Sequence, residues 1–149
     1  MIALVSLKNT TLTQLFPSTS NDYEVPLFEA SVSAGFPSPA QNEMEKKCDL
    51  NSLLIKHPAA TFFVRASGTS MIGAGIHDND ILIVDRSVQP TNGKIVIAAI
   101  NGELTVKRLV IENNKIFLVA ENKKFPPFQI TDGVDLHIWG VVINVIHYL

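Results

Sequence analysis

A serine in a glycine-containing turn is the first residue whose surroundings suggest chemistry. Ser70 lies in the segment ASGTSM, which follows the β-type run TFFVR and precedes the loop IGAGI. A serine that leaves a strand into a tight turn can expose its hydroxyl and direct nearby backbone N–H groups at one point, as the oxyanion of an acyl-transfer reaction requires. A turn serine that only makes local backbone hydrogen bonds has the same pattern. The segment alone therefore leaves both interpretations open.

A serine nucleophile needs a general base at neutral pH, and histidine is the usual one. The histidines are His57, His77, His137 and His147, of which His77 is nearest to Ser70 in sequence. The segment GTSMI lacks the final glycine of the G-x-S-x-G elbow, and the chain lacks the helix–strand alternation of that fold. A histidine triad is therefore disfavoured. The histidine spacings also lack metal-ligand signatures, so no metal site and no cofactor are predicted.

Lysine is the alternative base, and Lys107 lies in the β-type run ELTVKRLVI after the turn Asn101-Gly102. A period of two places Lys107 and Arg108 on opposite faces, neither of them purely polar, so one cation is expected to lie against apolar surface. A solvated lysine is neutral about 0.04% of the time at pH 7, whereas burial can lower its pKa by up to about 3–5 units. Lys107 is a base only if it is desolvated. The alternative is a snorkelling side chain with its ammonium in water.

Composition limits the classes of protein that need to be considered. The chain has 149 residues, 46% of them hydrophobic and 17% charged, with a net charge of -2. This size and composition fit one compact domain, and the charge disfavours strong direct DNA binding. The single cysteine, Cys48, excludes an internal disulfide and is compatible with a reducing cytosol. Because there is no signal peptide and no apolar run of about 18 residues, we expect a cytoplasmic protein without a membrane span.

Two regions of different character divide the chain. Residues 1–48 show no sustained period, and they are predicted to form a flexible, extended N-terminal arm. Residues 49–149 begin with a short helix capped by Asp49 and continue as short β-type runs separated by turns. The strongest turn signal is Asn101-Gly102, which suits a two-residue hairpin, and Asn113-Asn114 is a weaker one. The fold class is therefore mainly β, with a β-rich domain over 49–149.

Three separated segments resemble one family of proteins. They are GFPSP after Ala34, SGTSM around Ser70, and LTVKRL around Lys107. Together they are similar to UmuD and its plasmid-borne relatives and, more distantly, to the self-cleaving LexA repressors. The similarity extends from about residue 34 to about residue 145. The resemblance implies a peptidase domain of several short, curved antiparallel sheets preceded by an extended N-terminal arm.

The same resemblance implies an autocatalytic serine endopeptidase with a serine–lysine dyad. Ser70 would be the nucleophile, Lys107 the general base, and the backbone N–H groups of Thr69 and Ser70 the oxyanion hole. The cleaved bond would be Ala34–Gly35, and Val32 would be the substrate side chain that binds in the cleft. UmuD proteins often have cysteine before this bond, and the alanine matches the repressor branch.

The resemblance also implies partners and a role in the SOS DNA-damage response. An activated RecA–single-stranded DNA filament would stimulate cleavage. The shortened product would form a homodimer and join a UmuC-like, Y-family translesion polymerase. Three alternatives remain: a polymerase-binding adaptor that never cleaves, a peptidase that acts on other proteins, and a fragment of a LexA-like transcriptional regulator. The residues before the cleavage site are too few for a helix-turn-helix domain, which disfavours a complete repressor.

Overall fold

The computed structural model describes residues 23–28, 31–37, 39 and 45–149. The described residues divide into two compact units, a larger one of residues 57–149 and a smaller one that contains residues 23–28, 31–37, 39 and 45–56. Each unit is described by itself. The first 22 residues of the predicted arm lie outside the described part of the chain. Within the described ranges, no helix is long and apolar enough to cross a membrane.

A seven-stranded antiparallel sheet forms the larger unit and confirms the mainly β prediction. Its strand order is β3-β4-β9-β5-β6-β7-β8. The strands are β3 (Thr61–Arg65), β4 (Ile81–Asp85), β5 (Ile95–Ile100), β6 (Glu103–Glu112), β7 (Lys115–Val119), β8 (Phe128–Ile130) and β9 (Leu136–Ile146). The last long strand, β9, lies between β4 and β5, so it joins the first half of the sheet to the second.

Local sequence explains the two tightest connections of this sheet. Asn101 and Gly102 join β5 to β6, with φ values of 49° and 86°. Asn113 and Asn114 join β6 to β7, with φ values of 49° and 61°. Positive φ at both central residues is what a type I′ hairpin requires, and asparagine and glycine tolerate it best. Both hairpin predictions are confirmed.

Side chains of the sheet pack into two apolar clusters. The strand β5 contributes to both, because Ile97 lies in one and Val96 and Ala98 lie in the other. This division follows from the alternation of side chains along a strand. Val106 of β6 belongs to the same cluster as Ile97, and its sequence neighbour Lys107 therefore extends from the other face of β6.

A hydrogen bond between a buried carboxylate and a histidine links the end of β4 to the segment before β3. Asp85 is 1% exposed, and its Oδ2 lies 2.6 Å from Nδ1 of His57. Its Oδ1 accepts hydrogen bonds from the backbone N–H and hydroxyl of Ser87, at 2.8 and 2.6 Å. Burial raises the pKa of Asp85, but the hydrogen bonds from Ser87 and His57 outweigh it and hold the pKa below its ordinary value.

The smaller unit contains a hairpin that the sequence did not predict. Strand β1 (Glu24–Phe28) pairs antiparallel with β2 (Glu45–Asp49), so this part of the predicted arm is paired rather than irregular. Helix α1 (Leu50–Leu54) follows β2. The carboxylate of Asp49 accepts hydrogen bonds from the N–H groups of Asn51 and Ser52, at 3.2 and 3.0 Å, which confirms the predicted N-cap.

Candidate active site

The turn that carries Ser70 begins where β3 ends, and the loop before β4 supports it. The N–H of Ala66 donates to the carbonyl of Asp80 at 2.8 Å, and the N–H of Asn79 donates to the carbonyl of Ala66 at 2.9 Å. The carboxylate of Asp78 accepts the N–H of Gly68 at 2.7 Å. Three hydrogen bonds therefore hold the first half of the turn to residues 78–80.

The loop after β7 supports the other half of this turn. The side-chain amide of Asn122 donates to the carbonyl of Thr69 at 3.0 Å. The N–H of Gly73 donates to the carbonyl of Glu121 at 2.7 Å. A Cβ atom on Gly73 would lie 2.6 Å from that carbonyl oxygen, so only glycine allows the two backbones to approach this closely. The position of Ser70 is thus set by segments from distant parts of the sequence.

The serine side chain and the adjacent backbone suit an acyl-transfer site. Ser70 is 6% exposed, and the neighbouring Met71 is buried in the apolar core. Within the described residues, the backbone N–H groups of Thr69 and Ser70 donate no hydrogen bond. Two unused N–H donors beside a serine hydroxyl have the chemistry of an oxyanion hole.

Lys107 extends from the middle of β6 and brings its amine to Ser70. Its Nζ lies 3.2 Å from Oγ of Ser70, 2.9 Å from Oγ1 of Thr105 and 3.0 Å from the carbonyl oxygen of Val106. An ammonium satisfies all three contacts as a donor. A neutral amine donates to Thr105 and Val106, and its lone pair then accepts the Ser70 hydroxyl proton. The same geometry therefore accommodates both protonation states.

Burial shifts the protonation equilibrium of this lysine toward the neutral form. Burial lowers the pKa of Lys107 from its ordinary value of 10.5, because desolvation penalises the ammonium. Among the described residues, no carboxylate pairs with Lys107 to offset that penalty. The adjacent Arg108 differs, since its Nε pairs with the carboxylate of Glu121. The two neighbouring cations, predicted to lie on opposite faces, therefore differ in that Arg108 has a carboxylate partner and Lys107 contacts only uncharged oxygens.

The predicted cleavage site lies in the smaller unit, between β1 and β2. Ala34 and Gly35 form part of a bend and are exposed. Val32 is 93% exposed and Phe36 is 92% exposed, so two apolar side chains flank the bond without packing against the rest of the unit. A Cβ atom on Gly35 would meet nothing within 4 Å. The bond has the accessibility that a substrate segment needs.

Residues 26–143 match the family described as peptidase S24-like. The chain belongs to the peptidase S24-like family. It is 47% identical over 131 residues to the protein ImpA of Salmonella typhimurium, covering 88% of this chain and 89% of ImpA. It is 44% identical over 126 residues to the protein MucA of Escherichia coli, covering 84% of this chain and 86% of MucA. Similarity also extends to the LexA repressor of Ectopseudomonas mendocina, 38% identical over 131 residues, which is 87% of this chain and 64% of the repressor.

Several contacts around Ser70 and Lys107 were not predicted. Thr105 lies two residues before Lys107 on the same strand face, so period-two spacing was a signal for its contact with the amine. Asp78 and Asn122 hold the serine turn from loops, and nothing local in the sequence indicates that role. Their positions depend on which loops the sheet order brings next to residues 66–73.

Proposed function

We propose that this chain is a self-cleaving serine peptidase that uses Ser70 and Lys107 as a dyad. The observation that carries the proposal is the 3.2 Å separation between Oγ of Ser70 and Nζ of Lys107, with the lysine partly buried. A serine hydroxyl is a weak nucleophile until a base within hydrogen-bond reach takes its proton. Burial provides that base by lowering the cost of a neutral lysine. Membership of the S24-like family supports the same chemistry.

The reaction proceeds in two stages. In the first, neutral Lys107 takes the hydroxyl proton of Ser70 while Oγ attacks the carbonyl carbon of Ala34. The N–H groups of Thr69 and Ser70 bind the oxyanion that forms. The lysine ammonium then gives its proton to the amide nitrogen of Gly35, the C–N bond breaks, and Ala34 remains on Ser70 as an ester.

The second stage releases the ester. Lys107, neutral again, takes a proton from a water molecule that attacks the same carbonyl carbon. The ester bond breaks, Oγ of Ser70 recovers a proton from the lysine, and Ala34 leaves as a carboxylic acid that releases its remaining proton to water. The contacts from Nζ to Thr105 and Val106 keep the amine in place through both stages. The products are residues 1–34 and 35–149.

We infer the biological role from the family resemblance. The similarity to ImpA and MucA over more than four-fifths of the chain supports a UmuD-like protein over a complete repressor. We propose that a RecA–single-stranded DNA filament stimulates cleavage in the cytoplasm. The product of residues 35–149 then forms a homodimer and joins a Y-family translesion polymerase in the SOS response. Val32 binds in the cleft as the substrate side chain two residues before the cleaved bond.

Mass spectrometry of purified protein tests the chemistry directly. During incubation at alkaline pH, the full chain should convert to residues 1–34 and 35–149, faster at higher pH because more Lys107 is neutral. Ser70→Ala and Lys107→Ala should each abolish the fragments and keep the circular dichroism spectrum of the parent. Lys115→Ala is the matched control, since Lys115 is an exposed lysine on the next strand, and it should cleave normally.

Three outcomes test separate parts of the proposal. Fragments that still form in Lys107→Ala would remove that residue from the mechanism. A complementation assay for damage-induced mutagenesis distinguishes the adaptor alternative, because a protein that never cleaves would keep its function in Ser70→Ala. Addition of RecA, nucleotide and single-stranded DNA should accelerate cleavage. An unchanged rate would count against the proposed activator and leave the dyad chemistry intact.

A further inference from the structure

Two histidines and a buried aspartate converge at one end of the large sheet, apart from the serine–lysine pair. His77 and Asp80 lie in the loop before β4, and His147 directly follows β9. Nδ1 of His147 lies 2.6 Å from Oδ1 of Asp80, and Nδ1 of His77 lies 3.7 Å from Oδ2. The two imidazole ring centroids are 4.7 Å apart. One ligand atom from each residue falls within 4.8 Å of the other two.

The fold positions the aspartate and leaves the histidines accessible. Asp80 is 2% exposed, and the backbone N–H of His77 donates to its Oδ2 at 2.7 Å, which fixes the orientation of the carboxylate. The side chains of His77 and His147 are 46% and 43% exposed. The carboxylate is therefore held in one orientation and shielded from water, whereas the two imidazole rings are each about half exposed.

We propose that His77, Asp80 and His147 form a binding site for a zinc ion. Two imidazole nitrogens and one carboxylate oxygen are a donor set that zinc accepts, with a fourth position open to water. Tetrahedral coordination with bonds of about 2.0–2.1 Å places ligand atoms about 3.3 Å apart. Nδ1 of His147 lies 2.6 Å from one carboxylate oxygen of Asp80, and Nδ1 of His77 lies 3.7 Å from the other. Because one ligand atom of each residue lies within 4.8 Å of the other two, rotation of the exposed rings brings them to the tetrahedral spacing.

A bound ion would connect two parts of the unit that only tertiary structure brings together. The residues 78–80 that follow His77 hold Ala66 and Gly68 in the serine turn by hydrogen bonds. His147 belongs to the end of the chain. The ion would cross-link the end of β9 to the loop that supports the turn. Because the ligands come from distant positions, their spacing matches no sequence signature for zinc, which explains the sequence-based prediction of no metal site.

Calorimetric titration of zinc chloride into chelator-treated Ser70→Ala protein tests the proposal, because this variant stays intact during the measurement. We expect one zinc ion per chain. His77→Ala and His147→Ala should each weaken binding by at least about tenfold, since loss of an outer-shell partner alone commonly costs 10- to 100-fold. Cobalt(II) should give the visible absorption of a tetrahedral ion in the parent and lose it in both variants. Magnesium chloride should give no binding, because Mg²⁺ prefers oxygen ligands.

Two matched controls identify the ligands. His137→Ala removes an exposed histidine from β9, the strand that precedes His147, and Cys48→Ser removes the chain's thiol. Both should bind zinc as the parent does. His147→Ala should lower the melting temperature without metal, because it removes a hydrogen bond to the buried carboxylate of Asp80. Circular dichroism identifies any variant that is not folded, and only folded variants are titrated. The absence of zinc binding in the parent, or binding that survives either ligand substitution, or equal loss in His137→Ala, would overturn the proposal.

Discussion

The proposed self-cleavage depends on pH through one group, the amine of Lys107. The pH at which the cleavage rate levels off reports the pKa of that amine and therefore how far burial has removed it from water. A solvated lysine, with a pKa of about 10.4, pays roughly 4.6 kcal/mol to supply its free base at pH 7. Burial lowers the pKa of Lys107 below the ordinary 10.5, so the free energy needed to deprotonate it at pH 7 is smaller than for a solvated lysine. Each unit by which the pKa is lowered increases the neutral fraction at pH 7 about tenfold.

The first-order rate constant for loss of the full chain should therefore rise about tenfold per pH unit and then level off. We expect the inflection below pH 10.5, the ordinary value for lysine. The assay follows the intact mass over time at closely spaced pH values and constant ionic strength. Lys107→Arg should reduce the rate about 10²- to 10⁴-fold at every pH, because a guanidinium does not release its proton in this range.

Two results would refute this reasoning. An inflection at or above 10.5 would mean that Lys107 is fully hydrated at the moment of cleavage, contrary to its desolvated position beside Ser70. A rate that does not change with pH would mean that another group takes the serine proton. The control Lys115→Ala should reproduce the parent profile, since this exposed side chain lies on β7.

Three further substitutions probe the site and the sheet that holds it. Thr105→Val removes an acceptor of the amine 2.9 Å from Nζ, so the plateau rate should fall about 3- to 10-fold while the inflection moves to lower pH. An unmoved profile would contradict that contact. Asp85→Asn should lower the free energy of unfolding at pH 7 by about 1.5–3 kcal/mol, measured in urea. Because its folded pKa lies below 3.8, this carboxylate stabilises the fold above that ordinary value. The difference from the parent should disappear as pH falls through the folded pKa, and a constant difference would exclude the ionised contacts as its cause. Gly140→Ala should destabilise by about 1–3 kcal/mol, because the new methyl group would lie 2.7 Å from a valine side chain of β4. Gly35→Ala, which meets nothing within 4 Å, is its control.

Local sequence was sufficient for the features that depend on a few adjacent residues. Asn101 and Gly102 adopt positive φ, and Asp49 caps α1, because these preferences belong to the residues themselves. The run ELTVKRLVI, which forms most of β6, was predicted from its consecutive β-type residues. The hairpin of β1 and β2 was missed, since its strands show no period and pair across an intervening segment. The three-residue β8 was too short to give a pattern.

The sequence by itself determined that the chain is mainly β, that Ser70 lies in a turn and Lys107 on a strand, and that the segments around them resemble one family. Only the tertiary structure decided that Lys107, rather than Arg108, is the cation whose pKa is lowered by burial. Lys107 and Arg108 differ in environment because β6 presents them to opposite faces and Glu121 lies on one of them. The order of strands likewise brings His147 to Asp80. Burial and proximity between distant residues arise from packing, so they leave no signal in local spacing.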